Sequence, residues 1–202
     1  GWYAIQNALA RLKGASELEK DLVLALQQRF SHPVARPRAE LDRSYADAMA
    51  KVWKKYPEDA DVGALYAEAR MQLRPWALYR KSRQPQEGTL EIREVLEKVM
   101  QLDPDHAGAR HLYIHAVEPS REPEKALAAA RVLNDLVPAC GHLLHMPSHI
   151  YIQTGNWQEA IDQNLKAVAS DRLYRKLSPD QMIQYVYQAH NAHMLSFSAM
   201  MV

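Results

Sequence analysis

The chain has 202 residues, 48 % of them hydrophobic, and 25 basic against 24 acidic side chains leave a net charge of +1. So even a balance argues against a nucleic-acid footprint, which needs a basic stripe, and no apolar run approaches the ~18 residues of a membrane span. A single cysteine, Cys140, excludes an internal disulfide framework.

Residues 1–5 do not form a signal peptide. The chain begins and ends inside helical patterns, which reads as a fragment or a processed product. Its compartment, cytoplasm or periplasm, stays open. Ala, Leu, Glu, Gln, Arg and Lys dominate and glycine is scarce, an all-helical composition. Tyr3 to Lys13 has helical spacing and ends at Gly14, a C-cap candidate. Ser16 with Glu19 forms a capping-box pattern that opens a helix through Leu18, Leu22, Leu26 and Phe30. Two prolines mark 31–37 as a loop. Ala39 to Tyr56 is a helix with Leu41, Tyr45, Met49, Val52 and Trp53 on one side. Ala60 to Leu73 is the next, then 74–88 is an irregular insertion. Thr89 to Leu102 is a helix with Ile92, Val95, Leu96 and Val99 inward.

From there the chain repeats. Pro104 and Pro138 are 34 residues apart, and so are Ala126 and Ala160. A 34-residue period with two helices per unit resembles the tetratricopeptide repeat. Tyr151, Ala160 and Ala167 stand at its consensus tyrosine and alanines, and Ala126 and Pro138 match in the unit before. Arg110 and Leu144 occupy the tryptophan position, so the repeats are divergent. The resemblance implies a single all-α domain, 1–202, of helix-turn-helix repeats wound into a right-handed superhelical solenoid. Its units are an irregular 1–56, then 57–103 with the insertion 74–88, 104–137, 138–171, and a partial 179–202.

Seven of the nine histidines fall in three short windows, 111–118, 142–149 and 190–193. His111, His115 and Glu118 are spaced i, i+4, i+7; His142, His145 and His149 are i, i+3, i+7; His190 and His193 are i, i+3. Each set shares one face of its helix. Each also falls on the first helix of a repeat, which in such folds lines the concave groove. Glu68, His115, His149 and His190 each lie eleven residues after a repeat-boundary proline. They should form a row along the groove, where neighbouring helices share an ion through facing pairs. Pro147, between His145 and His149, should kink the helix and re-aim its ligands; the alternative is a helix that tolerates a proline facing outward.

Neutral imidazole and carboxylate are the usual ligands of zinc, copper, iron and manganese. The candidate metal set is His111, His115, Glu118, His142, His145, His149, His190 and His193, for one or two transition ions. Glu118 and Glu68 are candidate ligands or general bases. The motif is not H-E-x-x-H, so it is no zincin. Cys140 reads as a helix-start residue or a soft extra ligand. The insertion could lie over the groove mouth as a lid, with Arg74 and Trp76 on a small-molecule or peptide ligand, and Asn191 could bond a bound water.

The segments L-Y-A-E-A-x-x-x-L-R-P-W, H-L-Y-I-H-A-V-E, H-M-P-S-H-I-Y and H-N-A-H resemble those of a group of bacterial tetratricopeptide-repeat proteins of poorly defined function. There the last motif reads Y-P-H-N-x-H-F; here Gln188-Ala189 precede His190 and Met194 replaces the phenylalanine. The resemblance implies a shared site and supplies no reaction. The sequence therefore points to a metal-binding repeat protein, leaning to an oxidative or hydrolytic metalloenzyme. The alternatives are a non-catalytic peptide-binding scaffold, and a metal store or carrier.

Overall fold

The structure, a computed structural model, describes residues 1–181 and 183–202. It is all-α: α1 Trp2–Leu9, α2 Glu17–Gln27, α3 Arg38–Lys55, α4 Ala60–Met71, α5 Thr89–Leu102, α6 Ala107–Val117, a 3-10 turn Pro123–Ala126, α7 Leu127–Leu136, α8 Gly141–His145, α9 Pro147–Gln153, α10 Trp157–Leu177 and α11 Ile183–Ala199. Extended pairing among the described residues is limited to one isolated bridge, Tyr79 to Pro85. Among the same residues, no helix is long and apolar enough to cross a membrane. The chain forms two compact units, Gly1–Leu78 with Gln86–Pro104, and Tyr79–Pro85 with Asp105–Val202.

In the first unit the capping box forms as the sequence predicts: Ser16 Oγ accepts from Glu19 N–H, and Glu19 accepts from Ser16 N–H. α1 stops at Leu9, short of the expected Lys13. Ile5 is its buried side chain, so little packing holds a further turn. α2 ends at Gln27 rather than Phe30, because the chain tightens into i→i+3 bonds from Gln28, Arg29 and Phe30. The stripe Leu41, Tyr45, Met49 and Val52 is buried on α3. α4 packs against α5 closely enough that a Cβ at Gly63 would lie 2.5 Å from Val99.

The second unit is built of helix pairs: α6 with the 3-10 turn and α7, then α8–α9 with α10, then α11 against α10. The second helix of this pair opens as a 3-10 turn, with Pro123 in its first turn. The positions read as consensus small residues do what that role requires. Ala126, Ala160 and Ala167 are fully buried, letting backbones approach, and buried Tyr151 donates to Asn134 Oδ1 at 3.1 Å. Gly141, at the start of α8, faces α10, and a Cβ there would fall 2.0 Å from Asp171 Oδ1 and 3.1 Å from the Ala167 carbonyl.

Pro147 interrupts the helix, as its missing N–H demands. α8 ends at His145 and α9 begins at Pro147, with Met146 between them still at helical angles, φ −52° and ψ −40°. After the proline, His149 N–H donates to the Met146 carbonyl in an i→i+3 bond, 3.2 Å. Pro147 itself is buried.

Candidate metal centre

Six histidines of the second unit converge into two sets of three. His111 and His115 of α6 meet His142 of α8; His145 of α8 and His149 of α9 meet His190 of α11. In each set one nitrogen per ring lies within 4.8 Å of the others. Two members of each set come from one stretch of chain and the third from the next inner helix. α8 thus supplies one ligand to each set, which is what its i, i+3 pair His142 and His145 makes possible.

Three rings have their tautomers fixed by a partner on Nδ1. Glu118 accepts from two imidazoles: Oε1 lies 2.9 Å from His115 Nδ1 and Oε2 lies 2.6 Å from His149 Nδ1. An ionised carboxylate only accepts, so both Nδ1 atoms carry protons. His145 Nδ1 lies 2.7 Å from Asn164 Oδ1. The Asn164 amide group is committed to the Ala160 carbonyl at 2.8 Å, so its oxygen faces the imidazole and Nδ1 of His145 is again the donor. In their neutral forms these rings present Nε2 as a bare lone pair.

Two of those lone pairs, on His145 and His149, face each other. His145 Nε2 and His149 Nε2 are 2.9 Å apart, and His111 Nε2 and His142 Nε2 are 3.3 Å apart. For His145 and His149, the tautomers set by Asn164 and Glu118 place two acceptors in contact, which a cation between them relieves. Metal–nitrogen bonds of about 2.0–2.1 Å at angles of about 90–110° separate ligand nitrogens by about 2.8–3.4 Å. Both observed gaps fall in that interval.

Burial holds four of the six imidazoles below their ordinary range, towards the neutral form that a metal would need. Burial, then the neighbouring imidazoles, push His111 down to about 3 and His142 down to about 4. Burial and the charge at His149 take His145 to about 3, and burial with His149 also lowers His190. Burial alone would raise Glu118, but hydrogen bonds from His115 and His149 override it and hold the carboxyl at about 2. His142 Nδ1 is buried with no hydrogen-bond partner. The Tyr187 ring sits 4.8 Å from that of His142 and edges the site.

The remaining sequence candidates belong to neither set. His193 is exposed on α11 and belongs to neither set. Glu118 supports both sets through Nδ1 and is in neither. Asn191 is fully buried and donates to Asp171 Oδ2 at 2.7 Å, tying α11 to α10. Glu68 is half-buried in the first unit, where burial and then its charge raise the Tyr45 phenol. Cys140 is the half-buried N-cap residue of α8. Arg74 and Trp76 also belong to the first unit, Arg74 paired with Glu87 at 3.5 Å and Trp76 94 % exposed.

Residues 79–85 of the insertion belong to the second unit and brace the turn that carries Glu118. Tyr79 O–H donates to the Ala116 carbonyl at 2.9 Å, and Arg121 Nη2 donates to the Ser82 carbonyl at 3.0 Å. Sequence reasoning missed this brace and missed Asn164. Asn164 had one signal, an amide at i+4 from the buried repeat alanine Ala160. The brace joins residues 37–39 apart in the chain and left no periodic trace.

No protein-family model and no curated protein matches the chain. Solved structures do. A thermophilic tetratricopeptide-repeat protein of Thermus thermophilus, TTC0263, is 17 % identical with a TM-score of 0.64 over 94 % of this chain and 89 % of its own. MamA of Desulfovibrio magneticus RS-1 (residues 41 to the end) is 12 % identical with a TM-score of 0.58 over 93 % and 96 %. A further MamA structure, MSR-1 C2, gives 15 % and 0.57 over 85 % and 89 %. At such identities the likeness establishes the fold, an all-α assembly of tetratricopeptide-like helix-turn-helix repeats.

Proposed function

We propose that the chain is a metal-binding repeat protein that holds two transition ions, one on each tri-histidine set, and works as a metalloenzyme. The observation that carries this reading is the 2.9 Å contact between His145 Nε2 and His149 Nε2, whose tautomers are fixed by Asn164 and Glu118. Three imidazoles leave a position open, as catalytic rather than structural zinc sites do. All-imidazole sets favour copper or zinc over iron and manganese. Zinc there would lower the pKa of a bound water to about 7 and support hydrolysis; copper or iron would support oxidative chemistry. The substrate is a small molecule or peptide reaching the open positions.

The test is metal counting on the intact chain and on His111→Ala and His145→Ala. Two equivalents in the parent and about one in each variant is the expected result. A proton shared by His145 and His149, with Glu118 as counter-charge, is the competing occupant of the same gap. It predicts no stoichiometric metal in any of the three proteins. That result would return the chain to the second reading, a repeat scaffold that clasps a peptide, which rests on the fold alone.

A further inference from the structure

Resting on that reading, we infer that the two sets form one dinuclear centre, whose ions are close enough to hold a single small oxygen anion, such as hydroxide, between them. Within a set, ring centroids are 4.9 and 5.0 Å apart around His111, and 4.6, 4.8 and 5.6 Å apart among His145, His149 and His190. Imidazoles on one tetrahedral ion have centroids about 5 Å apart, given metal–nitrogen bonds of about 2.0–2.1 Å. The spacing between sets is hardly wider: His115 to His149 is 5.6 Å and His142 to His145 is 6.4 Å. The six rings are one contiguous group. Ions held by rings this close fall on the scale of the ~3.5–4 Å separation at which two-metal sites share an oxygen.

Charge points the same way. Six neutral imidazoles bring no negative charge to two divalent ions, and Glu118 brings one, spread over both sets through His115 and His149. The centre stays strongly positive in a partly buried place, which favours an anionic ligand at the open positions. A water bound between both ions loses a proton to solvent more readily than one bound to either alone, because two cations stabilise the resulting hydroxide.

Copper(II) provides the probe, since each ion carries one unpaired electron and a bridging oxygen pairs the two. The intact chain is loaded with copper(II) near neutral pH, bound copper is counted, and spins are integrated by electron paramagnetic resonance. The expected result is two coppers per chain with an integrated signal far below two spins. Removing one set by His190→Ala, or the other by His111→Ala, should leave one copper with a full one-spin signal. Two coppers with two full spins, or a single copper in the parent, would overturn the dinuclear centre and leave metal binding standing. No stoichiometric uptake would overturn both.

Discussion

Both oxygens of Glu118 are taken by imidazole N–H groups, so its contribution is to aim His115 and His149 and to set their tautomers. Partners of this kind typically change metal affinity 10–100-fold when removed. Glu118→Ala should therefore weaken both sets by about that factor in a competition titration with a chromophoric chelator. Loss at one set alone, or at neither, would contradict the shared support. The buried imidazoles also set a pH dependence in the metal-free chain. His111, His142 and His145 fall from an ordinary 6.5 to about 3, 4 and 3, so the unfolded chain binds more protons between those limits. Stability is then complete above about pH 6.5 and falls as pH falls through that window, because unfolding takes up protons there. Glu118, lowered from 4.5 to about 2, adds the same sign below pH 4.5. Thermal melts of the metal-free chain should show the midpoint dropping from pH 7 to pH 4; a flat profile would mean that the imidazoles are not held neutral.

At the scale of elements, α8 is the hinge of the site, because His142 serves one set and His145 the other. Its seat on α10 depends on Gly141, where a Cβ would meet Asp171 and the Ala167 carbonyl. Asp171 is itself held by Asn191, so it has little freedom to move aside. Gly141→Ala should cost about 1–3 kcal/mol, as overpacking does. It should also lower affinity at both sets, since α8 must shift. A variant with unchanged melting midpoint and affinity would show that α8 has room to spare. The spacing of the histidines was legible in the sequence because helix geometry fixes which residues share a face, and a disturbance at Pro147 was legible, as a kink, because proline lacks an N–H. The way His142 crosses to the α6 pair, leaving His145 for His149 and His190, was not, since it depends on how helices from different repeats approach one another.

For the whole molecule, the 34-residue period and the small residues at Ala126, Ala160 and Ala167 were enough to read the architecture, and the solved tetratricopeptide structures share it. The division into Gly1–Leu78 with Gln86–Pro104 and Tyr79–Pro85 with Asp105–Val202 left no comparable mark, because residues 79–85 join the second unit through contacts distant in sequence, such as Tyr79 with the Ala116 carbonyl. All six histidines of the two sets lie in the second unit. Metal should therefore stabilise that unit by mass action, about 2.7 kcal/mol at a free concentration one hundred times the dissociation constant. Limited proteolysis with and without chelator should show protection gained by the fragment from 105 onward; cleavage there that ignores chelator would speak against the site. Whether the two sets hold metal is decided by elemental analysis of the protein purified without a histidine tag. The expected result is up to two equivalents of one transition metal, rising to two on reconstitution. A chain that carries none and takes up none would contradict it.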